Sequence, residues 1–346
     1  MITIILPIRN EVKYIKQTLE SILNQNNINQ VVEILIADGM SDDGTREIIK
    51  DYIQNNSNIQ LIDNPEKIVS TGFNRALSIS EGDIIIRVDG HSEISRNFIN
   101  NCLLEFKNTE ADCVGGATEH ISSGIIGNAI KMAQSSFFGV GGVSFRKKVE
   151  KGEYVDTLAF GAYKRDVFDQ LGGYDEELVR NQDDEFNFRM IQNDGKIWLD
   201  PSIKSTYTQQ NSFMGLFKQY FQYGFYKVRV MQKRRGIASW RHVVPGLFVL
   251  GLLTNLSIIL FNGNTIPILS LCLPYLAFSL FATIFELIKT PSNFISVMIL
   301  PVTFIILHIS YGLGFILGLI YFWDKRNNTG LKDHHFNHEQ FYAYRN

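Results

Sequence analysis

Apolar residues first gather in short runs at positions 2–6, 31–37 and 82–88, with a weaker run at 59–62. Between these runs, positions 11–25, 43–55 and 71–80 carry apolar residues at helical spacing. Short continuous apolar runs bounded by turn residues read as buried strands, and the 3.6-residue pattern reads as amphipathic helix. Beyond about residue 110 the pattern is less regular. Ala111–Thr118 reads as a strand, Gly139–Phe145 as a glycine-rich loop, Tyr154–Tyr163 as β-like, 181–194 as a helix and 196–200 as a short strand. Residues 211–235 read as one or two amphipathic helices rich in Phe, Tyr, Lys and Arg. From residue 243 the polar half of the pattern disappears.

Strand–helix alternation with short connections predicts an α/β domain with a mostly parallel sheet covered by helices on both faces. Such sheets take their ligands beyond the carboxyl ends of the strands. That is where polar residues fall here: Arg9-Asn10-Glu11 after the first run, Asp38 after the second and Asp89 after 82–88. A single acid after a strand is usually a helix cap. Three strands delivering charge to one edge predict a site.

The charge distribution changes the picture of the C-terminal part. The net charge is only −2, but of all the Asp, Glu, Lys and Arg residues only Glu286 and Lys289 fall between Val243 and Trp323. This stretch divides at Asn262-Gly263-Asn264 and at Thr290–Asn293. Its pieces, about 243–261 and 265–288, match the roughly 20 residues that cross a bilayer. The third piece, 294–323, is about 45 Å long as one helix, so it must tilt, kink at Pro301 or fold back. No Asp or Glu occurs between Pro201 and Phe285, whereas Lys218, Lys227, Arg229, Lys233, Arg234, Arg235 and Arg241 do. A basic aromatic stretch beside an apolar segment points to anionic lipid headgroups rather than to nucleic acid, and it places the first entry on the cytoplasmic side. The expected organisation is a cytosolic domain at 1–210, interfacial helices at 211–242, a multi-pass membrane region at 243–323 and a polar tail at 324–346. The number of crossings stays open at two, three or four, and His334, His335 and His338 read as polar terminus. Cys102, Cys113 and Cys272 are scattered, which fits a reducing compartment. The first residues begin a strand and carry no signal-peptide pattern.

Asp89-Gly90-His91 follows a buried-looking strand and offers two metal-ligand types at a strand end. A divalent cation there suits a diphosphate leaving group. The triplet alone is weak, since a turn or cap explains it as well. Asp183-Asp184-Glu185 alone likewise reads as the acidic first turn of a helix.

Together the motifs resemble glycosyltransferase family 2. Pro7-Ile8-Arg9-Asn10-Glu11 resembles its opening P-x-x-N-E segment, and Asp38-Gly39-Met40-Ser41-Asp42-Asp43-Gly44-Thr45 its D-D-G-S-x-D-G-T segment. Asp89-Gly90-His91 stands where the family has D-x-D, and Gln182–Arg189, after Gly172-Gly173-Tyr174-Asp175-Glu176, resembles E-D-x-D-L-x-x-R. The D-G-H variant, Val155-Asp156-Thr157 and the glycine-rich loop are most similar to an ExoA-like branch that builds exopolysaccharides. The resemblance implies a GT-A fold and an inverting glycosyltransferase. It implies Asp183 as catalytic base, Pro7, Arg9, Glu11, Asp38 and Asp89 around the nucleotide-sugar, and Asp89 and His91 on Mn²⁺ or Mg²⁺. It also implies a lipid-linked saccharide acceptor. Asp42 and Asp43 are left to capping. His91 in place of the usual aspartate tilts the metal towards Mn²⁺, Gln182 replaces a glutamate, and Tyr207 lies near where many members place a histidine. A processive synthase is the alternative, disfavoured because Gln219-Tyr220-Phe221-Gln222-Tyr223 lacks the Arg-Trp of a Q-x-x-R-W motif. A catalytically idle membrane scaffold is the second.

Overall fold

The computed structural model describes residues 1–141, 150–158, 160–209, 211–237, 239–290 and 293–336. The chain forms two compact units, one of Met1–Glu119, Ser144–Thr208 and Gly330–Asn346, the other of His120–Val143 and Gln209–Thr329.

The first unit is built on an eight-stranded sheet in the order β3-β2-β1-β4-β9-β6-β10-β8. The first four neighbours are β3 (Ile59–Asp63), β2 (Val31–Asp38), β1 (Ile2–Ile8) and β4 (Ile84–Arg87), all parallel. β9 (Gly161–Lys164) then inserts antiparallel between β4 and β6 (Cys113–Gly115). β10 (Ile197–Leu199) pairs parallel with β6, and β8 (Glu153–Val155) closes the edge antiparallel. The expected strand at 154–163 is thus two strands on different neighbours, joined across the Asp156–Phe160 segment.

Successive strand residues point to opposite faces, so an unbroken apolar run must be covered twice. Ile4, Leu6, Ile34, Ile36 and Ile86 meet Ile15, Leu19 and Ile22 of α1 (Ile15–Leu23), Ile49 of α2 (Thr45–Asn55) and Phe98 and Cys102 of α4 (Phe98–Asn108). Ile5, Leu35, Ala37 and Ile85 face the other way. They meet Phe73 and Leu77 of α3 (Val69–Ile79), Phe168 of α7 (Arg165–Leu171) and Phe186 and Met190 of α8 (Gln182–Gln192). The chain runs outward from β1 through β2 to β3, then returns to place β4 on β1's other side. That reversal opens a crevice beyond the carboxyl ends of β1 and β4. A small second sheet, β5 (Ser92–Ile94), β11 (Ser205–Thr208) and β7 (Thr118–Ile121), was not predicted, its strands being three or four residues long.

The compact units divide the chain differently from the linear expectation in two places. Residues 120–141 carry α5 (Gly124–Ser135) and α6 (Phe137–Val140), whose Ile130 and Ala133 pack in the cores of the second unit. The glycine-rich segment expected at Gly139–Phe145 is helical through Val140 and lies outside the described residues from position 142. The tail from Gly330 belongs to the first unit because Phe336 is 2% exposed within its second core.

The second unit holds α9 (Phe213–Lys233), a single helix, then α10 (Val244–Asn262), α11 (Ile266–Lys289), α12 (Phe294–Met298) and α13 (Leu300–Tyr321). Among the described residues three helical segments, Trp240–Asn262, Ile266–Lys289 and Leu300–Tyr321, are long and apolar enough to cross a membrane. The third hydrophobic piece breaks at Ile299, next to the Pro301 that could not continue a preceding helix without losing a hydrogen bond.

Candidate active site

The candidate site residues lie beyond the carboxyl ends of β1, β2 and β4. The loop after β1 turns at Asn10, whose φ of 57° is left-handed, and Met40 after β2 has the same φ. Asn10 donates from its backbone to Ser41 Oγ at 2.8 Å and from Nδ2 to Asp42 Oδ1 at 3.0 Å, while Asp42 N donates to Asn10 Oδ1 at 3.1 Å. Glu11 N donates to Thr45 Oγ1 at 2.8 Å and Val12 N to Asp43 Oδ2 at 3.1 Å. The two motif segments are therefore one laced surface, and Asp42 and Asp43 are spent on lacing it. Pro7 is buried in β1 opposite Ala37, and exposed Arg9 lies against Gly39.

Asp38 ends β2 fully buried. Ser41 donates to it from both backbone and hydroxyl, and Arg46 Nη1 donates to Oδ2 at 2.6 Å. Arg46 Nη2 also reaches Asp63 Oδ1 at 2.7 Å, tying the ends of β2 and β3. The Asp38 carboxylate thus fixes the floor of the crevice from beneath, instead of pointing into it as a free group.

His91 Nδ1 lies 2.7 Å from Glu11 Oε1. Burial opposes the charged imidazole, but this hydrogen bond and the Asp89 charge outweigh it and hold the His91 pKa above its ordinary value. Gly90 between the two ligand types is required: a Cβ there would lie 2.7 Å from Glu11 Cγ and 2.8 Å from Ile8 Cγ2. Tyr207 of β11 presents its ring edge-on to His91 at 4.7 Å.

Asp183 stands in the first turn of α8 with Asp184 and Glu185. Glu185 is buried in an ion pair with Arg189 at 2.9 Å, and Arg189 donates to the carbonyls of Leu171 and Gly173. The motif arginine thereby staples α8 to the Gly172–Glu176 loop. Desolvation raises the Asp183 pKa, and the nearby Arg87 guanidinium opposes that rise.

Arg87 is the residue that sequence reasoning missed. From β4 its Nε and Nη2 donate to Asp89 Oδ1 at 3.1 and 2.9 Å, and its Nη1 lies 3.4 Å from Asp183 Oδ2. Its plane-bearing carbon sits 5.7 Å from the ring centre of Tyr174, which stacks on Phe73 at 4.2 Å. One buried guanidinium therefore brings the D-x-H carboxylate and the α8 carboxylate together from residues 94 apart in sequence. Two signals could have found it: a lone Arg in an otherwise apolar strand, and its spacing of two from Asp89, which puts both on one face.

Among the described residues no three His, Cys, Asp or Glu side chains converge as a metal cage. The donor chemistry of Asp89 and His91 still fits a two-ligand site. The Glu11 bond at Nδ1 orients the ring so that Nε2 can face a cation, the usual support of a metal-binding histidine.

The pattern of glycosyl transferase family 2 matches residues 3–172. A Methanococcus voltae protein is 30% identical over 336 residues, spanning 95% of this chain and 98% of its own length. Its name is dolichyl N-acetyl-α-D-glucosaminyl phosphate 3-β-D-2,3-diacetamido-2,3-dideoxy-β-D-glucuronosyltransferase. The chain belongs to glycosyl transferase family 2. The family-2 enzyme is also 29% identical to the succinoglycan biosynthesis protein ExoA of Rhizobium meliloti over 244 residues, 70% of this chain and 73% of that one. Its fold is that of the mannosyltransferase PcManGT from Pyrobaculum calidifontis, solved with GDP-Man and Mn²⁺, at a TM-score of 0.58 and 16% identity, covering 94% and 87% of the two chains. It is a GT-A glycosyltransferase of polysaccharide or lipid-linked glycan biosynthesis with apolar C-terminal helices.

Proposed function

We propose that this enzyme moves one sugar, with inversion at the anomeric carbon, from a nucleotide diphosphate donor to a hydroxyl of a lipid-linked saccharide at the cytoplasmic face of a membrane. The observation that carries the proposal is the Arg87 bridge, which sets Asp183 and Asp89 on either side of one guanidinium. A base for the acceptor and a holder for the diphosphate must lie about one sugar apart, and this arrangement supplies both.

In the reaction Asp183 takes the proton from the acceptor hydroxyl as its oxygen attacks the anomeric carbon. The bond from that carbon to the diphosphate oxygen breaks, and the pair leaves with the nucleotide. A positioned base of this kind contributes roughly 10²–10⁴-fold. Asp89 and His91 would hold a divalent cation, which when bound neutralises charge on the departing diphosphate. Arg9, exposed beside Gly39, faces the nucleotide, while Pro7, Glu11 and Asp38 shape its seat. The basic residues ahead of α10 favour the cytoplasmic side for the catalytic unit. The name of the Methanococcus voltae relative, with its dolichyl phosphate, favours a polyprenyl-phosphate-linked acceptor over a soluble one.

Purified enzyme in detergent, offered a panel of nucleotide-sugars with lipid extract and Mn²⁺ or Mg²⁺, should form a single-sugar lipid product. Asp183→Asn should lower turnover by at least about 10²-fold while leaving donor binding intact. Turnover retained in Asp183→Asn removes the base assignment, and a polymer product removes the single-addition reading.

A further inference from the structure

Three helical segments are long and apolar enough to span, yet three crossings would leave the C-terminus opposite the catalytic unit. The tail contradicts that. Within the first unit Glu176 N donates to Lys332 O at 2.7 Å and Gly173 N to Asp333 Oδ2 at 3.3 Å. His335 donates from its backbone to Glu176 Oε1, places Nδ1 3.0 Å from Glu176 Oε2, and meets Arg75 Nη2 through Nε2 at 2.8 Å. Phe336 completes the core beside Phe73 and Tyr174. A chain that leaves this unit after Thr208 and rejoins it at Gly330 crosses a membrane an even number of times.

The second unit identifies the helix that does not cross. α13 packs along α9 at backbone contact: a Cβ on Gly224 would lie 2.0 Å from Tyr311 O, one on Gly314 2.0 Å from Phe221 O, and one on Gly318 2.5 Å from Phe225 O. From Phe221 with Gly314 to Phe225 with Gly318 the partners advance together along both helices, and Arg229 near the end of α9 donates to Lys325 O and Asn328 O just past α13. The two helices are therefore parallel. With α10 and α11 both crossing between them, alternate crossings would make them antiparallel. α9 also carries Lys218, Lys227, Arg229 and Lys233, charges that a span does not tolerate on its length. Burial agrees: 56% of the α13 apolar window is covered by protein, against 11% for α10 and 17% for α11. Finally, α13 meets the first half of α10, with Gly312 against Pro245 and Val249 and Phe315 against Gly246, its own first turn shares a cluster with Ala282 and Leu287 of α11, and His308 Nδ1 lies 2.8 Å from the Tyr275 hydroxyl midway along α11. The α10 and Leu287 contacts lie in the half of the hairpin away from Gly263, and Tyr275 lies at its middle.

We infer that α10 and α11 alone cross the bilayer, as a hairpin turning at Gly263. α9 and α13 lie side by side at the interface on the catalytic side, and the tail returns to brace the Gly172–Glu176 loop that carries Tyr174. This rests on the membrane reading of the apolar helices but not on the reaction.

The test uses the full chain in cells with Cys272→Ser, Cys102 and Cys113 being buried. Single cysteines replace exposed Asn55 on the catalytic unit, Asn264 in the hairpin turn and Asn327 after α13. A membrane-impermeant maleimide is applied before and after permeabilisation. Asn55→Cys and Asn327→Cys should label from one side and Asn264→Cys from the other. Asn327→Cys labelling from the side opposite Asn55→Cys overturns the inference, as does Asn264→Cys labelling with Asn55→Cys. Neither readout involves sugar transfer, so a failure here is distinct from failure of the proposed reaction.

Discussion

Replacing Arg87 with Met removes the cation between Asp89 and Asp183 while keeping the length of the apolar stem beside Tyr174. At the 3.4 Å separation from Asp183, the pair attraction is about 5 kcal/mol at an effective dielectric of about 20 and about 1.2 kcal/mol in bulk water. Asp183 keeps 31% of its side-chain surface, so screening brings the figure towards the lower end, about 1–2 kcal/mol. The sign follows from the groups. Desolvation already lifts this carboxyl above its ordinary value, and Arg87 opposes the lift; without Arg87 it rises further. A base is inactive when protonated, so the acid limb of kcat/KM should move to higher pH, with the loss growing as the pH falls. Arg87→Lys keeps the charge but not the fork and should move the limb by less. The profile is measured with a radiolabelled donor and lipid acceptor across pH 5–9, each variant being checked for a native melting transition. An acid limb unmoved in Arg87→Met, with turnover lowered equally at every pH, would refute the argument that this guanidinium tunes the base.

Glu11→Gln should weaken Mn²⁺ binding in the presence of nucleotide by about 10–100-fold, because it removes the carboxylate that orients His91. Electron paramagnetic resonance of free Mn²⁺ measures this directly, and unchanged affinity would remove His91 from the cation site. Phe336→Ala should destabilise the catalytic unit by about 3–5 kcal/mol, the cost of a large core truncation. Its unfolding can be followed by loss of protease resistance in residues 1–208, and an effect below about 1 kcal/mol would mean that the tail does not pack there.

The parts of this enzyme that were legible from the residues are those whose cause is local. Runs such as Ile2–Leu6 and Val31–Ala37 had to be strands buried on both faces, and the residues following them had to gather at one sheet edge. Asp38 shows the limit of that logic. Its position at the edge was foreseeable, but its burial under Ser41 and Arg46 depends on Arg46, in the first turn of the next helix. Arg87 was hidden for a related reason: in a strand of isoleucines it reads as an ordinary charged residue until α8, almost a hundred positions later, brings Asp183 against it. β9 was blurred into a longer strand because its antiparallel insertion is decided by partners on β4 and β6, not by its own sequence.

The tail was the least legible segment, and it carries the largest consequence. Lys332 to Phe336 has neither periodicity nor apolar length, and its fit depends on a pocket made by α3 and the Gly172–Glu176 loop. Hydropathy alone treats 300–321 as a span equal to the other two, since composition does not record which neighbour covers a helix. Chain connectivity does record it. Once Phe336 is part of the catalytic core, the number of crossings must be even, and the parallel pairing of α9 with α13 excludes α13 from the count. Tyr174, under Arg87, lies in the loop to which Asp333 and Glu176 bind the tail. The membrane region is therefore connected through its returning end to the residues that hold the proposed base.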